Sequence, residues 1–266
     1  MKLLAPNGKP SNLTPEQYRL VRTPEFKEWF GDWEKAYETG NYENVSKVID
    51  KETKEPLVLW HFAKRLRYSD ERFNVFNVNK QLGSHFGSIK QVEKLKFYNL
   101  ERELNTPDIA KRYNDFRFYE VFLDIKLPLR LKDIGIFEEQ ELISILDQIK
   151  PIKSFDWDYI NDKNRKNETR LDRIKNVAKS RDIDGIIYLN RYEATDDMSL
   201  VNKLDNASDE VFLKSFPYAE DSWIAFYPNQ IKLADGTNTK FDINNPDIRF
   251  ASGGKTDTFV YTIGGL

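Results

Sequence analysis

The residues most able to do chemistry are two histidines. His61 lies in the run Pro56–Ala63 (PLVLWHFA), in which apolar residues lead into Trp60 and His61 and, bounded by Pro56 and the polar Lys64–Arg67, read as a short buried strand. An imidazole at the end of such a strand sits where core meets solvent, held rigidly yet able to hydrogen-bond a ligand. The plainer alternative is a histidine that only caps a core strand. His85 lies in Gly83–Gly87 (GSHFG), where two glycines bracketing an imidazole mark backbone that must come close to something. The chain has no cysteine, which excludes disulfides, thiolate metal sites and a cysteine nucleophile. Two histidines are too few for a His-rich zinc site, so no metal is expected.

Several elements must position these groups. Thr14-Pro15-Glu16 and Thr23-Pro24-Glu25 each join a hydroxyl N-cap to a proline that needs no N–H. Between them they start a helical hairpin over Leu13–Glu38. Its second helix carries the stripe Phe26, Trp29, Phe30, Trp33 and Tyr37, which packs on the following domain or on a partner. Residues 44–61 read as a hairpin, with a strand through Val45–Ile49, a turn at Asp50–Glu55 and the strand Leu57–His61. A loop with Phe73 and Phe76 leads to GSHFG, after which Ser88 caps a helix over Ile89–Leu95.

Residues 99–116 read as a polar insertion. Phe118–Leu131 alternates Tyr119, Val121, Leu123 and Ile125 on one face and reads as one long strand, its end confined by Pro128 to an edge or exit. Phe137–Ile149 is an amphipathic helix with Leu142, Ile145, Leu146 and Ile149 on one stripe. After a polar loop a second helix uses Leu171, Ile174 and Ala178. Asp184–Leu189 is a turn feeding a strand, Glu210–Lys214 is a weak helical centre, and Ser222–Tyr227 is a further strand stopped by Pro228. The last two strands can pair directly, so the order is α+β and not a doubly wound βαβ series.

At 266 residues the chain is one large domain or one domain with extensions, and 39% hydrophobic content suffices for a core. A net charge of -2 gives no global case for nucleic acid or membrane. The local basic run Lys163–Lys166 reads as a solvated loop, with phosphate contact as the alternative. MKLLAPNGKP is too short in apolar residues for a signal-peptide core, and no run approaches the roughly 18 of a membrane span. A soluble protein of a reducing compartment is expected. The tail after Gly253-Gly254 has low complexity and reads as flexible; the Gly-Gly pairs at 253–254 and 264–265 would alternatively mark processing of a polyprotein.

Taken together, VIDKETKEPLVLWH (48–61), Phe73–Phe76, GSHFG (83–87), VFLDIKLPLRL (121–131), DGIIYLNRYE (184–193), DSWIAFYPNQIK (221–232) and FDINNPDIRF (241–250) resemble the ADP-ribosyltransferase-like domains of phage and mobile-element polyvalent proteins. These are distant relatives of the diphtheria toxin and poly(ADP-ribose) polymerase fold. LTPEQYRLVRTPEFKEWFGDWE (13–34) resembles a helical module that often precedes them.

The resemblance implies an α+β split antiparallel β-sandwich with flanking helices, spanning 43–250. An N-terminal helical extension would cover 1–42, and a flexible tail 251–266. It implies cleavage of the nicotinamide–ribose bond of NAD⁺, used as co-substrate, and transfer of ADP-ribose to a host protein or nucleic-acid acceptor. A cytoplasmic site of action in the host cell, delivery in the virion and no membrane partner belong to the same expectation.

Residue by residue, His61 matches the histidine that holds a ribose hydroxyl, next to Trp60. Phe62 would offer backbone N–H and C=O to the nicotinamide carboxamide, where relatives often carry glycine followed by a small hydroxyl residue; here Ala63 follows. His85 falls where relatives stack a tyrosine on nicotinamide. Ser222 stands where polymerase-like relatives begin the last strand with glutamate. The carboxylate near the developing oxocarbenium charge is then Glu193, with Glu220 as alternative. The departures at Phe62-Ala63 and Ser222 also fit a catalytically degenerate fold, acting as a binding or virion-associated module.

Overall fold

The computed structural model describes residues 2–66, 75–76, 78, 82–95, 113–135, 137–236, 238 and 240–249, with the main chain alone at 64–66 and 113–116. Three short helices come first: α1 (Pro15–Leu20), α2 (Pro24–Phe30) and α3 (Trp33–Thr39). The two Thr-Pro signals start helices as expected. The Thr14 hydroxyl accepts from Gln17 N, while the Gln17 side chain accepts from Thr14 N. The hairpin is cut into three, because Gly31 ends α2 with φ 99°, a value that Gly adopts without strain.

Helices this short do not hold in water alone, so burial must sustain them. Phe26, Trp29, Phe30 and Trp33 are all fully buried. Phe26 meets Phe122 edge-on at 5.1 Å and Phe241 at 4.9 Å. The aromatic stripe therefore packs inward on the strands and the closing segment, forming one core with them.

Two sheets follow. β1 (Leu59–Leu66), β3 (Tyr113–Leu123) and β7 (Ile231–Leu233) form an antiparallel sheet in the order β1-β3-β7. The second sheet orders β2 (Ser84–Phe86), β6 (Asp221–Ala225), β5 (Gly185–Leu189) and β4 (Pro128–Leu131) as β2-β6-β5-β4. It is mixed, with β4–β5 parallel and the other pairs antiparallel. The architecture is thus mixed α/β with two sheets, consistent with the α+β class.

Helices α4 (89–95), α5 (Glu139–Ile149), α6 (Ser154–Asn161) and α7 (Arg170–Lys179) come next, and α8 (Met198–Lys203) and α9 (Asp209–Ser215) lie between β5 and β6. Leu142, Leu146, Leu171, Ile174 and Ala178 pack with Ile186, Tyr188 and Ile224 on one face of the mixed sheet.

Some sequence expectations are corrected. The 44–61 hairpin reduces to one bridge between Ile49 and Pro56, since Ser46 turns its hydroxyl to Leu123 O at 2.7 Å and ties that segment to β3. The long strand 118–131 is two strands in different sheets. The Asp184 carboxylate accepts from Lys126 N and Leu127 N, both at 2.8 Å, and this fixes the crossing between sheets. Pro128 then opens β4, an edge strand that tolerates a missing donor. Ile149 is exposed and Ile143 takes its place on the buried stripe of α5. The supposed loop after α5 contains α6. The tail 251–266, Phe73 and residues 99–112 of the insertion lie outside the described residues.

Candidate active site

The two sheets share a core, and a bridge joins their backbones: Trp60 N donates to Gly87 O at 2.8 Å and Gly87 N to Trp60 O at 3.0 Å. His61 is the next residue, the third of β1, so it lies within the strand and not at its end as the sequence suggested. Its Nδ1 is 2.7 Å from His85 O. A carbonyl only accepts, so the proton sits on Nδ1, leaving Nε2 as an acceptor. The ring packs edge-on against Phe76 at 4.9 Å and lies 5.3 Å from Phe86. Burial drives its pKa down to about 4 against the pull of the His85 carbonyl, so the imidazole is neutral at physiological pH.

Successive strand residues face opposite ways, so Trp60 and Phe62 lie on the other face from His61. Phe62 stands 5.7 Å from its cross-strand partner Phe118. Trp60 lines a cavity of about 290 Å³ with Gln17, Glu55 and Glu120. Neither ring lies on the face of β1 that carries His61.

The glycines around His85 are explained by protein neighbours. A Cβ at Gly83 would lie 2.1 Å from Ala225 O, and one at Gly87 would lie 2.1 Å from Gln91 Oε1. The backbone comes close to β6 and to the Gln91 side chain. Register puts His85 opposite Ile224 and Tyr188 opposite Ser222, so His85, Tyr188 and Ser222 share one face of the mixed sheet.

A row of polar groups follows on that face. His85 Nδ1 lies 3.4 Å from the Tyr188 hydroxyl, and Tyr188 stands opposite Ser222 in the β5–β6 register. Asn190 Nδ2 donates to Ser222 Oγ at 3.0 Å, and Ser222 Oγ donates to Gln91 Oε1 at 3.2 Å. Gln91 Nε2 and Asn190 N both donate to Glu220 O at 3.0 Å. At the end of the row, Glu193 N donates to Asn190 Oδ1 at 3.0 Å. The Glu193 carboxyl is half-buried. Burial raises its pKa and so does Asp133, while the Asn190 amide and Lys94 pull it down.

Of the residues expected from sequence, the row gathers His85, Ser222, Glu193 and the main chain of Glu220, whose side chain is exposed. His61 reaches it only through the His85 main-chain carbonyl: its ring packs on Phe76 and Phe86, and Phe86 faces the opposite side of β2 from His85, Tyr188 and Ser222; no contact among the described residues links His61 to Glu193 directly. Sequence reasoning missed Tyr188, Asn190 and Gln91. Gln91 had a local signal, since Ser-x-x-Gln at 88–91 is a capping box and Ser88 N does donate to Gln91 Oε1 at 2.7 Å. Tyr188 could be found as the residue two beyond Ile186 on the same strand face.

The stretch between Glu193 and β6 is pinned by Arg191, 2% exposed. Its guanidinium donates to Leu204 O, Asp205 O and Ala207 O and pairs with Asp209 at 2.9 Å. Its main-chain N donates to Asp133 Oδ2 at 2.7 Å. This anchor sits two residues from Glu193 and ties α8 and α9 beside it.

Among the described residues no group of three His, Asp or Glu is placed to hold a metal ion. No described helix is long and apolar enough to cross a membrane. No family model, curated protein or solved structure matches this chain.

Proposed function

We propose that this protein is an ADP-ribosyltransferase of the phage and mobile-element polyvalent type, with the split-sandwich fold of that superfamily. NAD⁺ would bind where β1 and β2 part beyond the Trp60–Gly87 bridge. The observation that carries the reading is the linkage of His61, through the His85 carbonyl, to a buried polar row that ends at Glu193.

Each group has a chemical task. Nε2 of neutral His61 accepts a hydrogen bond from a ribose hydroxyl. The main-chain N–H and C=O of Phe62 face the same strand edge as those of Trp60, toward β2, by the alternation of an antiparallel strand. There they clamp the nicotinamide carboxamide, and the His85 ring lies against the base. The bond from ribose C1′ to the nicotinamide nitrogen breaks, its electron pair neutralising the pyridinium. The positive charge left on the ribose is met by the Glu193 carboxylate, which then takes the proton of the acceptor nucleophile as that atom bonds C1′. Fixed electrostatics of this kind lower a barrier by about 3–4 kcal/mol per group. The acceptor is a host macromolecule in this reading.

Titration calorimetry with NAD⁺, run beside an assay of nicotinamide release, tests it. Wild type should bind and turn over, with both lost or strongly weakened in His61→Ala and turnover alone lost in Glu193→Ala. Binding with no turnover in a folded wild type would support the second reading, a nucleotide-binding module that lacks catalysis; the missing direct contact between His61 and Glu193 favours it. Absence of both would remove the first.

A further inference from the structure

We propose that Asn190 is the positioning residue of the site: its side-chain amide sets where the Glu193 carboxylate stands, and is itself fixed by Ser222 and Gln91. The inference rests on the reading of Glu193 as the reacting carboxylate.

The geometry is specific. Asn190 directly follows β5 and is 4% exposed. Its Oδ1 takes the Glu193 N–H at 3.0 Å, which closes a turn over 190–193 and decides the direction in which the Glu193 side chain leaves the main chain. Its Nδ2 is aimed across the sheet at Ser222 Oγ, 3.0 Å away. That contact settles the amide orientation, because Ser222 Oγ spends its own proton on Gln91 Oε1 and so must accept from Asn190. Gln91, 6% exposed, is held in turn by Ser88 N and Glu220 O. The buried amides and hydroxyl thus use one another's donors and acceptors in sequence, with Glu193 at the open end.

The row also explains why serine stands at 222. A glutamate there would be buried on β6 against Asn190 and Gln91, opposite Tyr188 in the register, and next to the amide that holds Glu193. Serine keeps that place neutral and adds no further carboxylate to Glu193 and Asp133. Asp133, Lys94 and Tyr188 are the other titratable groups whose fields reach Glu193.

The test uses the full chain with Asn190→Ala, Asn190→Asp and Glu193→Gln. The first readout is the titration of the ¹³C-labelled Glu193 carboxyl by NMR in the absence of NAD⁺. Asn190→Ala should move that titration to higher pH by removing the amide, and the near-isosteric Asn190→Asp should move it further by adding a like charge. The second readout is NAD⁺ cleavage. Asn190→Ala should lower kcat about 100-fold, the size of a misplaced reacting group, with KM for NAD⁺ within about threefold of wild type. In Asn190→Asp the acid limb of the pH–rate profile should move upward. A Glu193 titration unmoved in both Asn190 variants, with their melting temperatures intact, overturns the positioning role. Glu193→Gln turning over like wild type overturns instead the reading beneath it, and leaves the NMR result to judge Asn190 alone.

Discussion

His61 donates its Nδ1 proton to the main-chain carbonyl of His85 at 2.7 Å, so one imidazole is locked in a single tautomer by the backbone of the other. The bond ties β1 to β2 immediately beyond the bridge that joins the backbones of the two sheets. It also directs the free lone pair of Nε2 elsewhere, which makes His61 a hydrogen-bond acceptor and not an acid near neutral pH.

This state has a pH signature. The folded pKa of about 4 lies below the ordinary 6.5, so the unfolded chain takes up a proton that the folded chain refuses between those values. Stability from His61 is therefore complete above pH 6.5 and is lost as pH falls toward 4, by about 2 kcal/mol for this partly exposed residue. Urea unfolding at pH 7 and pH 5 should show that loss in wild type and a smaller one in His61→Phe. Equal losses in the two proteins would deny that His61 is buried neutral.

Gly83 should be far less replaceable than Gly40. A Cβ at Gly83 meets Ala225 O at 2.1 Å, whereas at Gly40 nothing lies within 4 Å. Gly40→Ala should cost about 1 kcal/mol for its left-handed φ alone. Gly83→Ala must push β2 from β6 and should cost about 3 kcal/mol or more. Chemical denaturation of both variants checks the order, and similar costs would contradict the close β2–β6 approach.

Arg191 should be indispensable to the stretch after Glu193. Removing a buried cation from three carbonyls and Asp209 should cost about 3–5 kcal/mol in Arg191→Ala. Arg191→Lys should recover little, since an ammonium cannot reach all four acceptors. Amide exchange over 198–215 should rise in both variants. Unchanged protection there would contradict the anchor.

Lys232 should control the closing segment. Its fully buried ammonium donates to Asn245 O at 2.6 Å and Asp247 O at 2.8 Å. Burial lowers its pKa from 10.5 to about 8, so between those values the unfolded state holds a proton that the folded state has released. Stability from this group therefore rises with pH across that window, and buried Lys175, also at about 8, acts in the same direction. The melting temperature of wild type should gain more between pH 8 and 10 than that of Lys232→Met. Faster exchange at the Leu233 amide, which donates to Ile248 O, should accompany the substitution.

What could be read from the sequence was local. Thr14-Pro15 and Thr23-Pro24 start helices through contacts within one turn, and β5 and β6 follow their own apolar runs. What could not be read depends on distant partners. The break in 118–131 is made by Asp184, more than fifty residues onward. The strand expected at Val45–Ile49 is diverted by the Ser46 hydroxyl to Leu123 O. Candidate site residues with a charge or a ring, His61, His85 and Glu193, stand out in a sequence. Asn190 does not, and Gln91 shows only the capping box at 88–91, because the bonds of both amides to Ser222 are made between segments far apart in the sequence.

The account turns on one bound ligand touching both His61 and Glu193, which do not touch each other. A crystal structure with a non-hydrolysable NAD⁺ analogue measures this directly. The expected result is a ribose hydroxyl within hydrogen-bond distance of His61 Nε2 and the Glu193 carboxylate facing C1′ of the same ribose. An analogue bound away from His61, or with Glu193 on the far side of β2 from the ribose, would contradict it.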